Sequence, residues 1–237
     1  MLRNVMLDSL LFFDIETVPE VPAFNDLDEE MQDLFDIKTA YQRRDGQTAA
    51  EFYERAGIWA EFGKVVCISV GYFTYKNGDR QFRVKSFAGE ERRLLQEFSN
   101  LIDEYFNDPT RVLCGHNIKE FDIPFVVRRM LINEVKIPNK LCIIGKKPWE
   151  VNHLDTMEMW KIGDYKHFTS LRLLTRILGI PSPKDDIDGS EVAKVYYEDK
   201  DIDRIIVYCE KDVVAVAQVL LRFKREELLS QSEIFSV

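Results

Sequence analysis

No stretch of this chain approaches the roughly 20 consecutive apolar residues that carry a helix across a bilayer, so no membrane span is expected. The first residues hold one arginine and lead straight into an apolar, strand-like run, which is not the pattern of a signal peptide. Positive charge is scarce: 32 Lys and Arg stand against 41 Asp and Glu, a net charge of −9. That deficit argues against broad binding of duplex nucleic acid, which depends on neutralising many phosphates. It does not argue against gripping a few nucleotides at a strand end. The four cysteines (Cys67, Cys114, Cys142, Cys209) show no Cys-x-x-Cys spacing, so they are poor zinc ligands and read as reduced thiols of a cytoplasmic protein. Histidine is rarer still, with His116, His153 and His167 only, and no metal-binding partner is visible for His116. There is no internal repeat and no low-complexity stretch.

What is present is globular. Apolar residues make up 46% and charged residues 31% of 237, near the usual proportions, and the length suffices for one large domain over 1–237. The run Leu10-Leu11-Phe12-Phe13 predicts a buried first strand, about 9–16. Strands at about 64–75 and 80–87 flank Asn77-Gly78, a strong short-range hairpin signal. Leu94, Leu95, Phe98, Leu101, Ile102 and Tyr105 recur at helical spacing, which predicts a helix at about 90–107. A strand at about 111–115 precedes a helix at about 122–134, with Pro124 in its first turn. A short fifth strand includes Val151 to Leu154. Ser170 caps a helix that Gly179 and Pro181 stop. Ser190 starts a short helix, and a long one occupies about 202–229. Residues 19–62 separate the first two strands by far more than the typical 2–6 residues. They are acidic and aromatic (Phe24, Phe35, Tyr41, Phe52, Tyr53, Trp59) and predict a helical insertion.

Three carboxylate-bearing segments stand far apart on this frame. In Phe13-Asp14-Ile15-Glu16-Thr17, residues two apart on a strand share a face, so Asp14 and Glu16 leave the same side. In Asn117-Ile118-Lys119-Glu120-Phe121-Asp122, Asp122 opens a helix one short loop beyond a strand. In Tyr208-Cys209-Glu210-Lys211-Asp212, Tyr208 and Asp212 lie four apart on one helix face. A lone Asp-x-Glu at a strand end is ordinary surface. An aspartate directly after Leu-Leu-Phe-Phe is not freely solvated, and a buried carboxylate needs a partner or a metal.

These segments resemble the motifs of the DEDD exonuclease superfamily, tyrosine subclass. Phe-Asp-Ile-Glu-Thr (13–17) matches its first motif. Gly-His-Asn-Ile-Lys-Glu-Phe-Asp-Ile-Pro-Phe (115–125) is similar to the second motif of family B DNA polymerase proofreading domains, and Tyr-Cys-Glu-Lys-Asp-Val (208–213) to the third. Lys64-Val65-Val66-Cys67-Ile68-Ser69-Val70-Gly71 also looks like the stand-alone group of exonucleases related to that domain. The histidine subclass would place His five residues before Asp212, where this chain has Val207. The resemblance implies an α/β, ribonuclease-H-like fold with a five-stranded mixed sheet flanked by helices.

It also implies a metal-dependent 3′–5′ exonuclease that releases nucleoside 5′-monophosphates from single-stranded 3′ ends, DNA favoured over RNA. Phosphodiester hydrolysis near neutral pH needs an acidified water and a stabilised leaving oxygen, and a pair of divalent cations supplies both. Oxygen ligands suit Mg²⁺ or Mn²⁺. Asp14, Glu16, Asp122 and Asp212 are the expected ligands, with Glu16 reaching the terminal nucleotide through one metal. Tyr208, too weak a base at an ordinary pKa of about 10, is expected to orient the attacking water. Bound cations would offset part of the chain's negative charge locally. Thr17, Asn117, Phe121 and Lys184 are expected substrate contacts. Asp155 either supports the site or, the favoured reading, caps the helix after it. The Lys146-Lys147-Pro148-Trp149 cluster reads as a solvated loop. The insertion 19–62 either caps the 3′ end, its aromatics stacking on bases, or covers the sheet edge. The chain has no polymerase domain, so proofreading would need a separate polymerase or repair partner. An exoribonuclease or oligonucleotide-trimming enzyme is the alternative within enzymes. A catalytically silent nucleic-acid-binding module is the alternative outside them, against which stands the retention of all four carboxylates and the tyrosine.

Overall fold

A computed structural model describes residues 5–147, 150–164, 167–181 and 187–237. The chain opens with β1 (Leu10–Pro19), then passes through two helices, α1 (Glu29–Thr39) and α2 (Ala49–Phe52), to a hairpin of β2 (Gly63–Lys76) and β3 (Asp79–Ala88). Asn77 and Gly78 turn that hairpin with φ of 55° and 92°, the left-handed pair that Asn-Gly favours. Next come α3 (Glu91–Tyr105), β4 (Val112–Gly115), α4 (Asp122–Ile132), β5 (Leu154–Asp155) and α5 (Thr156–Lys161). The chain continues through α6 (Leu171–Ile177), α7 (Val192–Lys194), α8 (Ile202–Lys224) and β6 (Ile234–Ser236).

The strands form one mixed sheet in the order β5-β4-β1-β2-β3-β6. β1 pairs antiparallel with β2 and parallel with β4, which places it centrally. Alternation along β1 splits the core between two faces. Leu11, Phe13 and Ile15 pack with Leu94, Leu95 and Phe98 of α3 and Ile123 and Val126 of α4. Leu10 and Phe12 face the opposite side and meet Val213, Val216, Ala217 and Leu220 of α8. Gly71 lets α8 approach β2 so closely, since a Cβ there would lie 2.7 Å from Val213 Cγ1.

The expected five-stranded sheet carries a sixth strand. β6 pairs parallel with β3, and Arg80 holds the approach through Glu233 at 2.8 Å and the Glu227 carbonyl at 2.9 Å. Three residues are too few to show a period, so this strand leaves no sequence signal. The last helix stops at Lys224 rather than near 229, because Arg225 turns left-handed (φ 60°) and Gln218 pairs with both backbone groups of Leu229 at 2.9 Å. Leu229 thereby folds back into the α8 core.

The insertion is helical, and it has a small core of its own. Phe35, Phe52, Tyr53 and Phe62 are buried together, with Phe24 and Trp59 packed against them. Of its seven aromatics only Tyr41 is strongly exposed, at 82%. Of the two readings of this segment, packing accounts for Phe52, which is 3% exposed, and its ring lies 6.0 Å from that of Trp59, partly buried against the same cluster. Aromatics at helical spacing went to the core because burial of their large apolar area outweighs any surface use. Arg129, 5% exposed, fastens the insertion to α3 and α4: it donates to Glu91 at 2.6 and 2.8 Å, to Glu20 at 2.9 Å and to the Ala60 carbonyl at 2.9 Å.

Candidate active site

The site grows from the α8 face of β1. Asp14 and Glu16 continue the row of Leu10 and Phe12, opposite Ser69 and Cys67 of β2. The pairing slips between Glu16 and Thr17, a bulge of the kind that re-aims side chains beside active sites. α8 crosses above. Its Cys209 thiol donates to the Asp14 carbonyl at 3.5 Å and to Asp14 Oδ2 at 3.6 Å, and the ligand atoms of Asp14, Glu16 and Cys209 lie within 4.8 Å of one another. Tyr208 precedes Cys209 and Asp212 lies one turn beyond Tyr208; both are half-buried.

The third side comes from the loop after β4. A Cβ on Gly115 would lie 2.9 Å from the Phe13 carbonyl, so only glycine lets the loop start this close to β1. Asn117 takes a left-handed conformation (φ 69°), which Asn tolerates. Asp155 holds the loop, accepting from the Asn117 amide at 2.9 Å and the Lys119 amide at 3.2 Å. It also caps α5 through the amides of Met157 and Glu158. Both readings of Asp155 are thus realised by one buried carboxylate. His116 braces the same loop, with Nδ1 2.9 Å from Thr156 Oγ1 and Nε2 2.8 Å from the Thr169 carbonyl. α4 then begins at Asp122, 3% exposed, whose carboxylate accepts from the Ile15 amide between Asp14 and Glu16.

Electrostatics reports the convergence. Burial, then the charges of Asp122, Asp212 and Glu16, push Asp14 well above the usual carboxylate range. Burial followed by the charge of Asp212 does the same to Glu16. Asp122 is raised to about 8, chiefly by burial, against the lowering effect of its backbone hydrogen bonds. Four carboxylates from β1, α4 and α8 therefore share one field. Carboxylates crowded this way repel one another until a proton or a cation intervenes, and an all-oxygen set of this kind fits a hard divalent ion.

Of the other expected contacts, Thr17 donates its hydroxyl to the Gly57 carbonyl at 2.7 Å. Phe121 is half-buried at the head of α4, its ring 5.5 Å from that of Phe125. Asn117 Oδ1 is sealed from water and has no hydrogen-bond partner among the described residues. Lys184 lies outside the described residues, as do Pro148 and Trp149. Sequence reasoning missed Cys209 and Cys67 beneath the carboxylates. Cys209 sits inside the third motif, a signal that was available; that Cys67 lies opposite Glu16 depends on register alone. All four cysteines are free thiols.

A central β1 flanked by antiparallel β2 and parallel β4, with carboxylates from three elements meeting at it, defines a mixed α/β protein with an acidic cluster on its central strand. Residues 58–233 match the family described as "Predicted 3'-5' exonuclease related to the exonuclease domain of PolB", and the chain belongs to that family. The matched range includes Asp122, Tyr208 and Asp212, while Asp14 and Glu16 precede it. The fold is also similar to the structure of the family B DNA polymerase from the hyperthermophilic archaeon Pyrobaculum calidifontis. There the TM-score is 0.53 and the identity 17% over 90% of this chain. The chain spans about a quarter of that polymerase's length, 24%. This likeness bears out the ribonuclease-H-like fold. No described helix is long and apolar enough to cross a membrane.

Proposed function

We propose that this protein is a divalent-metal-dependent 3′–5′ exonuclease that removes nucleoside 5′-monophosphates from single-stranded ends, with DNA the favoured substrate. One observation carries the reading: Asp14, Glu16, Asp122 and Asp212 raise or share one another's electrostatic field although they come from three distant segments. Asp14, Glu16, Asp122 and Asp212 hold the cations, Mg²⁺ or Mn²⁺. When bound, these ions acidify a water and neutralise the leaving oxygen. Tyr208 orients the attacking water with its hydroxyl. Cys209 and the Ile15 amide keep Asp14 and Asp122 aimed. Asn117, at the turn between β4 and α4, is a proposed contact to the terminal nucleotide. Thr17 has lone pairs left after its hydroxyl hydrogen goes to Gly57. Phe121 and Lys184 complete the proposed contacts.

In this reading residues 1–237 act as one domain, with 19–62 as a helical insertion. The protein works in the cytoplasm. A digestion panel tests the reading. End-labelled DNA and RNA single strands are incubated with Mn²⁺, Mg²⁺ or chelator, and stepwise shortening from the 3′ end is expected with metal only. Equal or faster trimming of RNA would move the assignment to an exoribonuclease; strand binding without trimming under every condition would move it to a silent module.

A further inference from the structure

We infer that the outward face of α6, with Phe168 before it, is a track for the single strand upstream of the scissile bond. This rests on the exonuclease reading and names where the rest of the substrate lies. Three observations carry it. The Thr169 carbonyl is bound by His116 Nε2 at 2.8 Å, and His116 belongs to the loop that presents Asn117 and Asp122. Phe168 is therefore held beside that loop, yet its side chain is 70% exposed. From Ser170, which caps it, α6 packs on α8: Leu174 and Val219 share one buried cluster, and Val219 lies seven residues past Asp212, or about 10 Å along the α8 axis.

The residues α6 turns outward are unusual for so acidic a chain. Arg172 and Arg176 are exposed and four apart, so two cations stand about 6 Å apart along one helix face. Each arginine is followed by an exposed aliphatic side chain, Leu173 after Arg172 and Ile177 after Arg176, 52% and 53% exposed. Neither arginine forms an ion pair with a described residue. Asp188 feels the charge of Arg172 but is itself occupied by the amide and hydroxyl of Ser190. Cations interleaved with an exposed ring and aliphatic side chains match what a single strand offers: successive phosphates on one side and base faces on the other. A net charge of −9 weakens non-specific attraction of a polyanion to the molecule as a whole, so a local face that combines cations with an exposed ring favours this path for the strand.

The test separates this inference from the exonuclease reading by measuring binding without hydrolysis. Fluorescence anisotropy of a labelled oligothymidylate about 15 nucleotides long is followed in chelator, with the full chain. Arg172→Glu/Arg176→Glu and Phe168→Ala should each weaken binding about tenfold or more. The arginine pair should also flatten the slope of log affinity against log salt by about 1.4, two single-strand phosphate contacts at about 0.7 each. Arg172→Lys/Arg176→Lys should recover most of the affinity, and thermal melts should show all variants folded. With Mn²⁺ present, the loss should appear in KM while kcat at saturating strand is kept. Wild-type affinity and salt slope in the folded double charge reversal would overturn the track. So would a wild-type chain that self-associates through this face, seen as a dimer in sedimentation that the charge reversal dissolves. If the wild type binds through this face but never trims, the track stands and the exonuclease reading falls.

Discussion

At the scale of single residues the site depends on carboxylates whose removal costs chemistry rather than fold. Asp14 and Asp212 fill no large core volume, so Asp14→Ala and Asp212→Ala should abolish metal-dependent trimming while leaving the melting transition cooperative. A labelled 3′ end shortened at the wild-type rate by Asp14→Ala would disprove the ligand assignment. Tyr208→Phe keeps the ring packed against Ile205 and Cys209 and removes only the hydroxyl. Metal binding should survive and kcat should fall by about 10²–10⁴, or less where the metal dominates water activation. Matching turnover numbers for Tyr208→Phe and wild type would take Tyr208 out of the mechanism.

At the scale of elements the insertion 19–62 is held by its own core and by Arg129. Phe52→Ala empties a buried ring position and should cost about 3–5 kcal/mol of stability. Steady-state kinetics and a melt on Phe52→Ala and Trp59→Ala distinguish the two uses of this segment. Packing predicts a lower Tm with KM unchanged; a raised KM at unchanged Tm would restore base stacking. Arg129→Ala leaves the largely buried Glu91 carboxylate without its cation, held only by the Val65 amide and the Asn133 side chain, which should cost about 3–5 kcal/mol in a denaturant titration. Arg129→Ala with wild-type stability would show that this cluster fastens nothing.

At the scale of the whole molecule the carboxylate cluster sets how stability answers to pH and metal. Asp122 keeps its proton in the folded state up to about pH 8. In the unfolded chain an aspartate loses it near pH 4. Between those values the native state holds more protons, so the ion-free protein loses stability as pH rises through that window. A chelated sample should melt lower at about pH 8 than at about pH 6, and saturating Mn²⁺ should raise Tm most at the higher pH. Asp122→Asn should raise Tm in chelator while reducing trimming, since a neutral amide stays buried there without the cost of keeping a carboxyl protonated. A Tm indifferent to both pH and Mn²⁺ would contradict a preformed cation site.

Local rules carried the elements of this protein a long way. Asn77-Gly78 marked the hairpin, Ser170 marked the cap of α6, and alternation along β1 put Asp14 and Glu16 on one side, because turn chemistry and side-chain period act over a few residues. The three motifs pointed their carboxylates at one place, and the charges of Asp122, Asp212 and Glu16 all reach Asp14. Other features were decided only when distant segments met. The register of β1 on β2 set Cys67 against Glu16, and the packing of α8 brought the Cys209 thiol to Asp14. The folding of Asp155 under the 115–121 loop turned a helix cap into a brace for Asn117. The aromatic residues of the insertion were readable as aromatic but not as core, since burial depends on what lies opposite each ring. β6 exists only because β3 offers an edge to three residues that carry no pattern of their own. Periodicity is written within one segment and can be read there; register, burial and the meeting of charges belong to pairs of segments, and only the folded chain brings those pairs together.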